Sequence, residues 1–515
     1  MTASSLAALN TSIVNVALPH MSGALGASIE EITWVSTGYI LSSVIIMPII
    51  ALLSSRFGRK RFFIFSVVLF TSASLLCGIA WDLPSMVVFR IIQGFGGGTL
   101  IPLSQAMLLE TFPKEEQAMA MSIFGLGVIL GPAFGPTLGG WLTDNYSWPW
   151  IFFINVPLGI LNVFLIMRFI EDPHYLVREK GKIDVAGLLL MSVGLGSLQI
   201  MLEKGDQMDW FTSNMIRYLA AAALIGLLSF VVRELTAERP AVNLRLLKDV
   251  NFSTGSFLGG ILNVGLFGSL FILPLLLQQL LGYPAYDSGL ALLPRSIAMA
   301  IAMPIGGRIY NKLGPQFLIA FALFVNFCSF YMLARLALNV GFWDIFLPQF
   351  LQGIGFGLIF VALSTAVLST VEKPLLTAGS GLYNVIRQIF ASIGIALAAT
   401  FLTRGEIRYR AILMEHVTSY SDAASESLRQ LQSHLFSSGA NASGTDMEAF
   451  KLLDMMIGKQ ASMLAYNHVF FLIALIFLFS MPLALLIKDP RRAKGAVMAI
   501  GRQGWRSRWK NGTKS

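Results

Sequence analysis

Arg90 and Arg387 each stand inside a long apolar run, with amide side chains about one helical turn away. Arg90 and Gln93 share a helix face by three-residue spacing, and Asn384, Arg387 and Gln388 share one by three- and four-residue spacing. An arginine at mid-membrane costs at least about 2.5 kcal/mol on insertion scales, so it needs a polar cavity or a partner. Asn10, Asn15 and Asn155 add uncharged polar groups within other apolar runs. Arg295 lies nearer the end of its run. Two readings stay open. These residues line a central cavity that takes a small molecule, or each arginine only pins a neighbouring carbonyl.

Carboxylates are the second kind of chemistry. A buried acid has its pKa raised by desolvation and lowered by a nearby cation, so competition for it can couple protons to another solute. Glu110, Asp144 and Glu203 are the candidates, and all three lie near the ends of apolar runs, where a solvated cap is an equal reading. Enzyme chemistry has little to build on. His20, His174, His416, His434 and His468 are scattered, with no pair at zinc-ligand spacing. Cys77 and Cys328 sit inside apolar runs and imply neither a disulfide framework nor a metal cluster. No phosphate-binding loop of the Walker type is present. The sequence therefore predicts no catalytic residues, no metal and no cofactor.

The elements that position these residues follow from composition. Of 515 residues, 55% are hydrophobic and 13% charged, and the mean hydropathy is +0.70. A soluble domain carries about 25% charged residues, so the bilayer is the natural solvent. A membrane helix needs about 20 mostly apolar residues. Runs of that kind lie near 3–19, 34–53, 62–80, 84–109, 118–142, 150–170, 185–202, 215–234, 253–280, 289–310, 317–337, 343–371, 377–403 and 467–488. The first is short: either its outer turn is ragged or the start codon lies upstream. No secretory signal precedes it.

The loops set orientation through the bias of Lys and Arg to the inside. With both termini inside, inward loops carry Arg56, Arg59, Lys60 and Arg61, then Arg178, Lys180 and Lys182, then Arg239, Arg245 and Lys248, then Arg308 and Lys312. Outward short loops are nearly free of them, with Lys204 and Arg335 the main exceptions. The tail adds Arg491, Arg492, Lys494, Arg502, Arg506, Arg508 and Lys510. This placement accounts for most of the net charge of +9. It favours an anchor to anionic membrane lipid over a nucleic-acid arm.

Two segments recur about 257 residues and eight spans apart. Leu53-Ser54-Ser55-Arg56-Phe57-Gly58-Arg59-Lys60 is echoed by Ile309-Tyr310-Asn311-Lys312-Leu313-Gly314. Gln93-Gly94-Phe95-Gly96-Gly97-Gly98 is echoed by Gln352-Gly353-Ile354-Gly355-Phe356-Gly357. Two six-helix bundles with two extra helices between them give that offset, and parallel repeats are an architecture of alternating-access transporters.

The loop after the second span resembles the basic signature of the major facilitators, with Ser55 where an acid is usual and Ala51 where glycine is usual. The fifth span reads Gly127-x-x-x-Gly131-Pro132-x-x-Gly135-Pro136-x-x-Gly139-Gly140, which closely resembles the antiporter signature of drug-exporting members. Trp150-Ile151-Phe152-Phe153-Ile154-Asn155-Val156-Pro157-Leu158-Gly159 is similar to the start of span 6 in the fourteen-span drug:proton antiporter subfamily. Leu9 through Pro19 and Ser380 through Gln388 fit the same subfamily, in particular its EmrB type of multidrug exporter. The resemblance implies an all-α major facilitator fold of fourteen spans in an inner membrane. Its parts are an N-terminal bundle over 1–170, two inserted helices with their linkers over 171–250, a C-terminal bundle over 251–488 with an outer loop at 404–466, and a basic cytoplasmic tail over 489–515. It also implies exchange with protons, a small-molecule substrate, and a periplasmic adaptor with an outer-membrane channel. The family places an acid in the first span where this chain has Asn10, which cannot titrate.

Physically, proline kinks a helix and glycines every four residues let another helix approach. The fifth span is thus expected to be a kinked, close-packed helix at the interface of the bundles. In the outer loop, Ser421-Asp422 is expected to cap an amphipathic helix through His434, and Asp446 through Lys459 to form a second. That loop meets an adaptor or is a solvated lid. Asn441-Ala442-Ser443 matches a glycosylation sequon, a weak signal. Two functions remain: export of amphipathic drugs or toxic compounds in exchange for protons, or a dedicated carrier of one metabolite on the same fold.

Overall fold

The computed structural model describes residues 1–172, 184–237, 240–417, 421–437 and 445–488. Arg178, Lys180, Lys182 and Arg239, the sequon at Asn441, and the tail from 489 onward lie outside the described residues. Among the described residues every regular element is helical.

The chain opens with α1 (Thr2–Leu25). Among the described residues, thirteen helices long and apolar enough to cross a membrane follow. They are α2 (Glu30–Phe57), α3 (Arg59–Gly78), α4 (Leu83–Thr111), α5 (Gln117–Asn145), α6 (Trp150–Phe169), α7 (Val185–Lys204), α8 (Asn214–Thr236), α9 (Val250–Leu280), α10 (Tyr286–Leu313), α11 (Pro315–Leu333), α12 (Phe342–Ser369), α13 (Lys373–Glu415) and α14 (Asp446–Leu486). With 24 residues, α1 is about 36 Å long, enough to cross a hydrocarbon core of about 30 Å. Its Ser4, Asn10, Thr11, Ser12 and Asn15 dilute its hydropathy, so composition alone does not mark it. The expected span at 3–19 is corrected here. The helix runs on through Pro19 to a left-handed Gly26, whose φ is 62°.

Short-range signals set the helix starts. Ser28 and Glu31 form a reciprocal capping box before α2, as Asp82 and Ser85 do before α4. The Asp184 carboxylate accepts from Gly187 N–H at 3.1 Å to start α7. At the two repeated loops, Gly58 and Gly314 both take a positive φ, 87° and 86°. A side chain there would be strained, so both loops need glycine.

The repeat is visible in the packing as well. A Cβ on Gly94 of α4 would stand 2.4 Å from the Tyr39 carbonyl oxygen of α2. One on Gly353 of α12 would stand 2.2 Å from the Arg295 carbonyl oxygen of α10. Gly96 meets the α3 backbone at Ser66 and Phe70, and Gly355 meets Asn326 of α11. The fold is thus two six-helix bundles, with α7 and α8 between them in the chain. Those two helices pack on each other through Gly194 and Gly226. α7 also leans on Leu41 and Ile45 of α2, while α8 turns Leu224, Ile225 and Leu228 outward as a lipid-facing surface should.

The loop expected at 404–466 is mostly helix. α13 continues to Glu415, and the last helix starts at Thr445 rather than 467. Hydropathy sees only the apolar stretch of each. The 40-residue helix Leu376–Glu415 is about 60 Å long, twice the hydrocarbon thickness, so its end projects from the bilayer. A separate helix, Asp422–Ser437, lies between α13 and α14, and the Ser421 hydroxyl accepts from Ala424 N–H at 3.4 Å.

Candidate functional site

Four of the sequence-predicted residues meet in one network inside the N-terminal bundle. Asn10, Gln93 and Asn155 are fully buried and Arg90 is 1% exposed. Arg90 Nε donates to the Val35 carbonyl at 2.9 Å, and an Nη donates to Gln93 Oε1 at 2.5 Å. Since arginine can only donate, this bond fixes which end of the Gln93 amide is oxygen. Gln93 Nε2 must then donate, and it reaches Ser74 Oγ at 2.6 Å and Asn10 Oδ1 at 3.3 Å. Asn155 Nδ2 donates to the same Asn10 oxygen at 3.1 Å. The arginine therefore sets the polarity of the amides beyond it. The Arg90 guanidinium also lies 4.4 Å from the Tyr39 ring centroid and 5.8 Å from that of Phe152. Such contacts stabilise a cation where no carboxylate does. These residues do not line an open cavity. Asn15, exposed, stands apart and accepts from Ser36 Oγ at 2.9 Å.

The C-terminal bundle carries a counterpart. Arg295, 5% exposed, donates to Ser269 Oγ at 3.1 Å and to Gln352 Oε1 at 3.3 Å. Gln93 and Gln352 are the equivalent glutamines of the repeat, and each accepts from a buried arginine. The arginine comes from α4 in one bundle and from α10 in the other.

Asn384 faces the other bundle rather than its own. Its Nδ2 donates to Gln105 Oε1 of α4 at 2.8 Å, and Ser380 Oγ donates to the same oxygen at 3.2 Å and to the Pro102 carbonyl at 2.9 Å. Sequence reasoning missed Gln105, a fully buried amide in the apolar run of α4. The cost of a polar side chain at that depth was the available signal. Close backbone approaches accompany this pin. A Cβ on Gly381 would stand 2.5 Å from the Met47 carbonyl oxygen, and one on Gly307 would stand 3.0 Å from that of Ala118. Arg387 is half-buried between the rings of Phe360 and Tyr383, at 5.1 and 5.3 Å. Gln388, also half-buried, accepts through its backbone carbonyl from Ser392 Oγ at 3.3 Å.

The glycine face of α5 packs inside its own bundle. Cβ atoms on Gly127, Gly131, Gly135 and Gly139 would fall 2.5–2.8 Å from atoms of Ser5, Ala8, Ser12 and Ile13 on α1. α5, expected as a close-packed helix at the interface of the bundles, reaches the other bundle through its first turns, where Gly125 abuts Phe360 and Met303. Gly140 has only Val16 within reach, at 3.9 Å. Pro132 and Pro136 lie within the same continuous helix, Gln117–Asn145.

The three acids sit in three different settings. Glu110 is ion-paired to Arg59, which is buried at the start of α3. Asp144 is exposed at the end of α5. Glu203 is half-buried near the end of α7; Gln199 Nε2 donates to it at 2.8 Å, and the Thr37 hydroxyl of α2 lies beside it. Gln199 also donates to Ser392 Oγ of α13 at 2.8 Å. Among the described residues no group of His, Cys, Asp and Glu is arranged to hold a metal ion.

Comparison with known proteins places this geometry. The sequence family described as Major Facilitator Superfamily matches residues 1–395. The chain is 34% identical over 492 residues to the fatty acid resistance protein FarB of Neisseria gonorrhoeae, covering 95% of this chain and 94% of that one. It is 35% identical over 488 residues to the multidrug export protein EmrB of Escherichia coli K12, again covering 95% and 94%. The crystal structure of the human organic anion transporter MFSD10 (TETRAN) shares the fold, with a TM-score of 0.61 at 12% identity, over 92% of this chain and 97% of that one.

Proposed function

The chain belongs to the major facilitator superfamily, and from that premise we propose that it exports amphipathic drugs or toxic compounds across the inner membrane in exchange for protons. Export proceeds by alternating access of two bundles, residues 1–170 and 251–488, with both termini in the cytoplasm. The observation that carries the reading is the seam between the bundles. The Gln105–Asn384–Ser380 pin, the approach of Gly381 to Met47 and that of Gly307 to Ala118 lie toward the membrane face that bears the Arg56–Arg61 loop. A seam closed on one side by a few hydrogen bonds and small-residue contacts is a bistable element, and alternating access needs one. The names of the multidrug relatives support export as the direction.

For the proton, Glu203 is the best-placed carboxylate. It bonds to Gln199, which also holds α13, and it sits beside α2, so protonation there alters a contact that touches both bundles. Glu110 is engaged by Arg59, and Asn10 cannot titrate. The projecting ends of α13 and α14 offer a face for a periplasmic adaptor and, through it, an outer-membrane channel. A narrower reading, a carrier for one class of compound, is favoured by the relative named for fatty acid resistance.

The test is dye export from an efflux-deficient bacterium expressing the chain. An amphipathic fluorescent dye is expelled, and a protonophore abolishes the expulsion. Glu203→Gln stops net expulsion while leaving dye exchange intact. Dye retention by correctly inserted protein, with protection against a single compound class, would replace the broad reading with the narrow one.

A further inference from the structure

We propose that Arg387 anchors the head group of an amphipathic anion, a single-chain carboxylate or sulfonate, at the seam of the two bundles. The proposal deepens the transporter reading and rests on it.

Arginines 90, 295 and 387 stand within the spans, and two of them are engaged. Arg90 donates to Val35 and Gln93, and Arg295 donates to Ser269 and Gln352. No hydrogen bond or ion pair reaches Arg387 among the described residues, and its Nε is buried without an acceptor. What surrounds its guanidinium is the pair of rings of Phe360 and Tyr383. The rings offer π density to the cation but no lone pair to its N–H groups. A guanidinium presents five donors in a fixed fork that matches a carboxylate. The fork of Arg387, with its Nε buried and the rest of the side chain half-buried, is therefore suited to receive an anion.

Charge at this depth selects the same class. The two half-buried acids among the candidates are engaged elsewhere: Glu110 by Arg59, and Glu203 by Gln199. A cationic head group at Arg387 would meet like charge, whereas an anionic one would gain charge-assisted hydrogen bonds. An apolar tail would find aromatic neighbours as well. One turn along α13, Phe390 meets Phe257 of α9 edge-on at 5.6 Å. The site also touches the seam, because the Phe360 ring abuts Gly125 of α5 in the other bundle. Filling it thus acts on the contact that must open to admit a substrate from the cytoplasmic side.

The test uses the full chain in nanodiscs of zwitterionic lipid, with radiolabelled dodecanoate as the probe. Unlabelled dodecanoate should compete at least about tenfold better than dodecanol, and dodecyltrimethylammonium should not compete. Arg387→Gln should erase that preference, and Arg387→Lys should keep part of it, as a point charge without the fork. Equal competition by the three head groups on the unmutated protein overturns the proposal, whatever the variants do. So does undiminished preference in a well-folded Arg387→Gln protein. Displacement of dodecanoate by phosphatidylglycerol would place a lipid head group at Arg387 and overturn the substrate assignment. Head-group preference without dye export in cells would remove the transporter reading and leave the anion site standing.

Discussion

Replacing single glycines of α5 by alanine separates packing from backbone freedom. In a helix, Gly→Ala gains about 1 kcal/mol of propensity wherever it is made. The difference between two such substitutions therefore isolates what the new methyl meets. At Gly131 it would stand 2.5 Å from the carbonyl carbon of Ala8 and 2.6 Å from the nitrogen of Leu9. Both are α1 backbone atoms that cannot rotate away, so the helices must part. Overpacking of this kind costs about 1–3 kcal/mol. At Gly140 the nearest atom is Val16 Cγ1 at 3.9 Å, an ordinary contact. Gly131→Ala is thus expected to lose about 0–2 kcal/mol net, and Gly140→Ala to gain about 1. Gly127→Ala falls between them, since it meets the Ser5 hydroxyl at 2.6 Å and that group can turn aside. The assay is the temperature at which each purified variant loses its monodisperse chromatographic peak. Equal damage at Gly131 and Gly140 would refute the packing account and return the motif to chain flexibility.

Truncating Asn10 to alanine leaves the amide donors of Gln93 and Asn155 buried without their shared acceptor, so a loss of about 1–3 kcal/mol is expected in thermal unfolding; a change within error would deny the network its structural weight. Gln105→Ala and Asn384→Ala should couple in a double-mutant cycle by about 0.6 kcal/mol, and each should raise labelling of a cysteine placed at Ala118, where the bundles meet. Additive effects with unchanged labelling would mean the pair does not hold the seam. The Arg233 guanidinium and the Gly187 N–H hold the Asp184 carboxyl below its ordinary value. A depressed acid stabilises the fold above its unfolded pKa and loses that contribution as pH falls through the folded one. The stability gap between wild type and Asp184→Asn should therefore be present at pH 7 and close below about pH 4; a gap independent of pH would refute the ion pair's role.

Most of the fold was legible because membrane helices announce themselves by length and apolarity. Where that signal failed, polarity was the cause. α1 holds Asn10 and its hydroxyl neighbours, and these pack against α5 and the buried amides instead of lipid. Its hydropathy is low because its surroundings are protein. The same logic blurred α13 and α14, whose polar ends project as helix beyond the apolar stretch. The repeat, by contrast, was readable residue by residue. Gly58 and Gly314 share a backbone conformation, and Gly94 and Gly353 each meet a backbone carbonyl oxygen of a facing helix, because the requirement is local and steric.

The site was legible in part, for a different reason. Spacing on one helix brings Arg90 to Gln93, and that pair was visible in the sequence. Spacing says nothing about which other helix supplies the third group. Asn10 and Asn155 join Gln93 from 83 and 62 positions away, and Gln105 finds Asn384 in the other bundle. The sequence showed costly polar atoms but not how they compensate one another. Where compensation includes oxygen acceptors, as at Arg90 and Arg295, an intramembrane arginine holds the bundle together. At Arg387 it is incomplete, with two rings and no acceptor, and that residual need distinguishes a ligand anchor from a structural pin. The depth of a charged residue in a span thus predicts that it has a role, and the count of its satisfied donors tells which role it has.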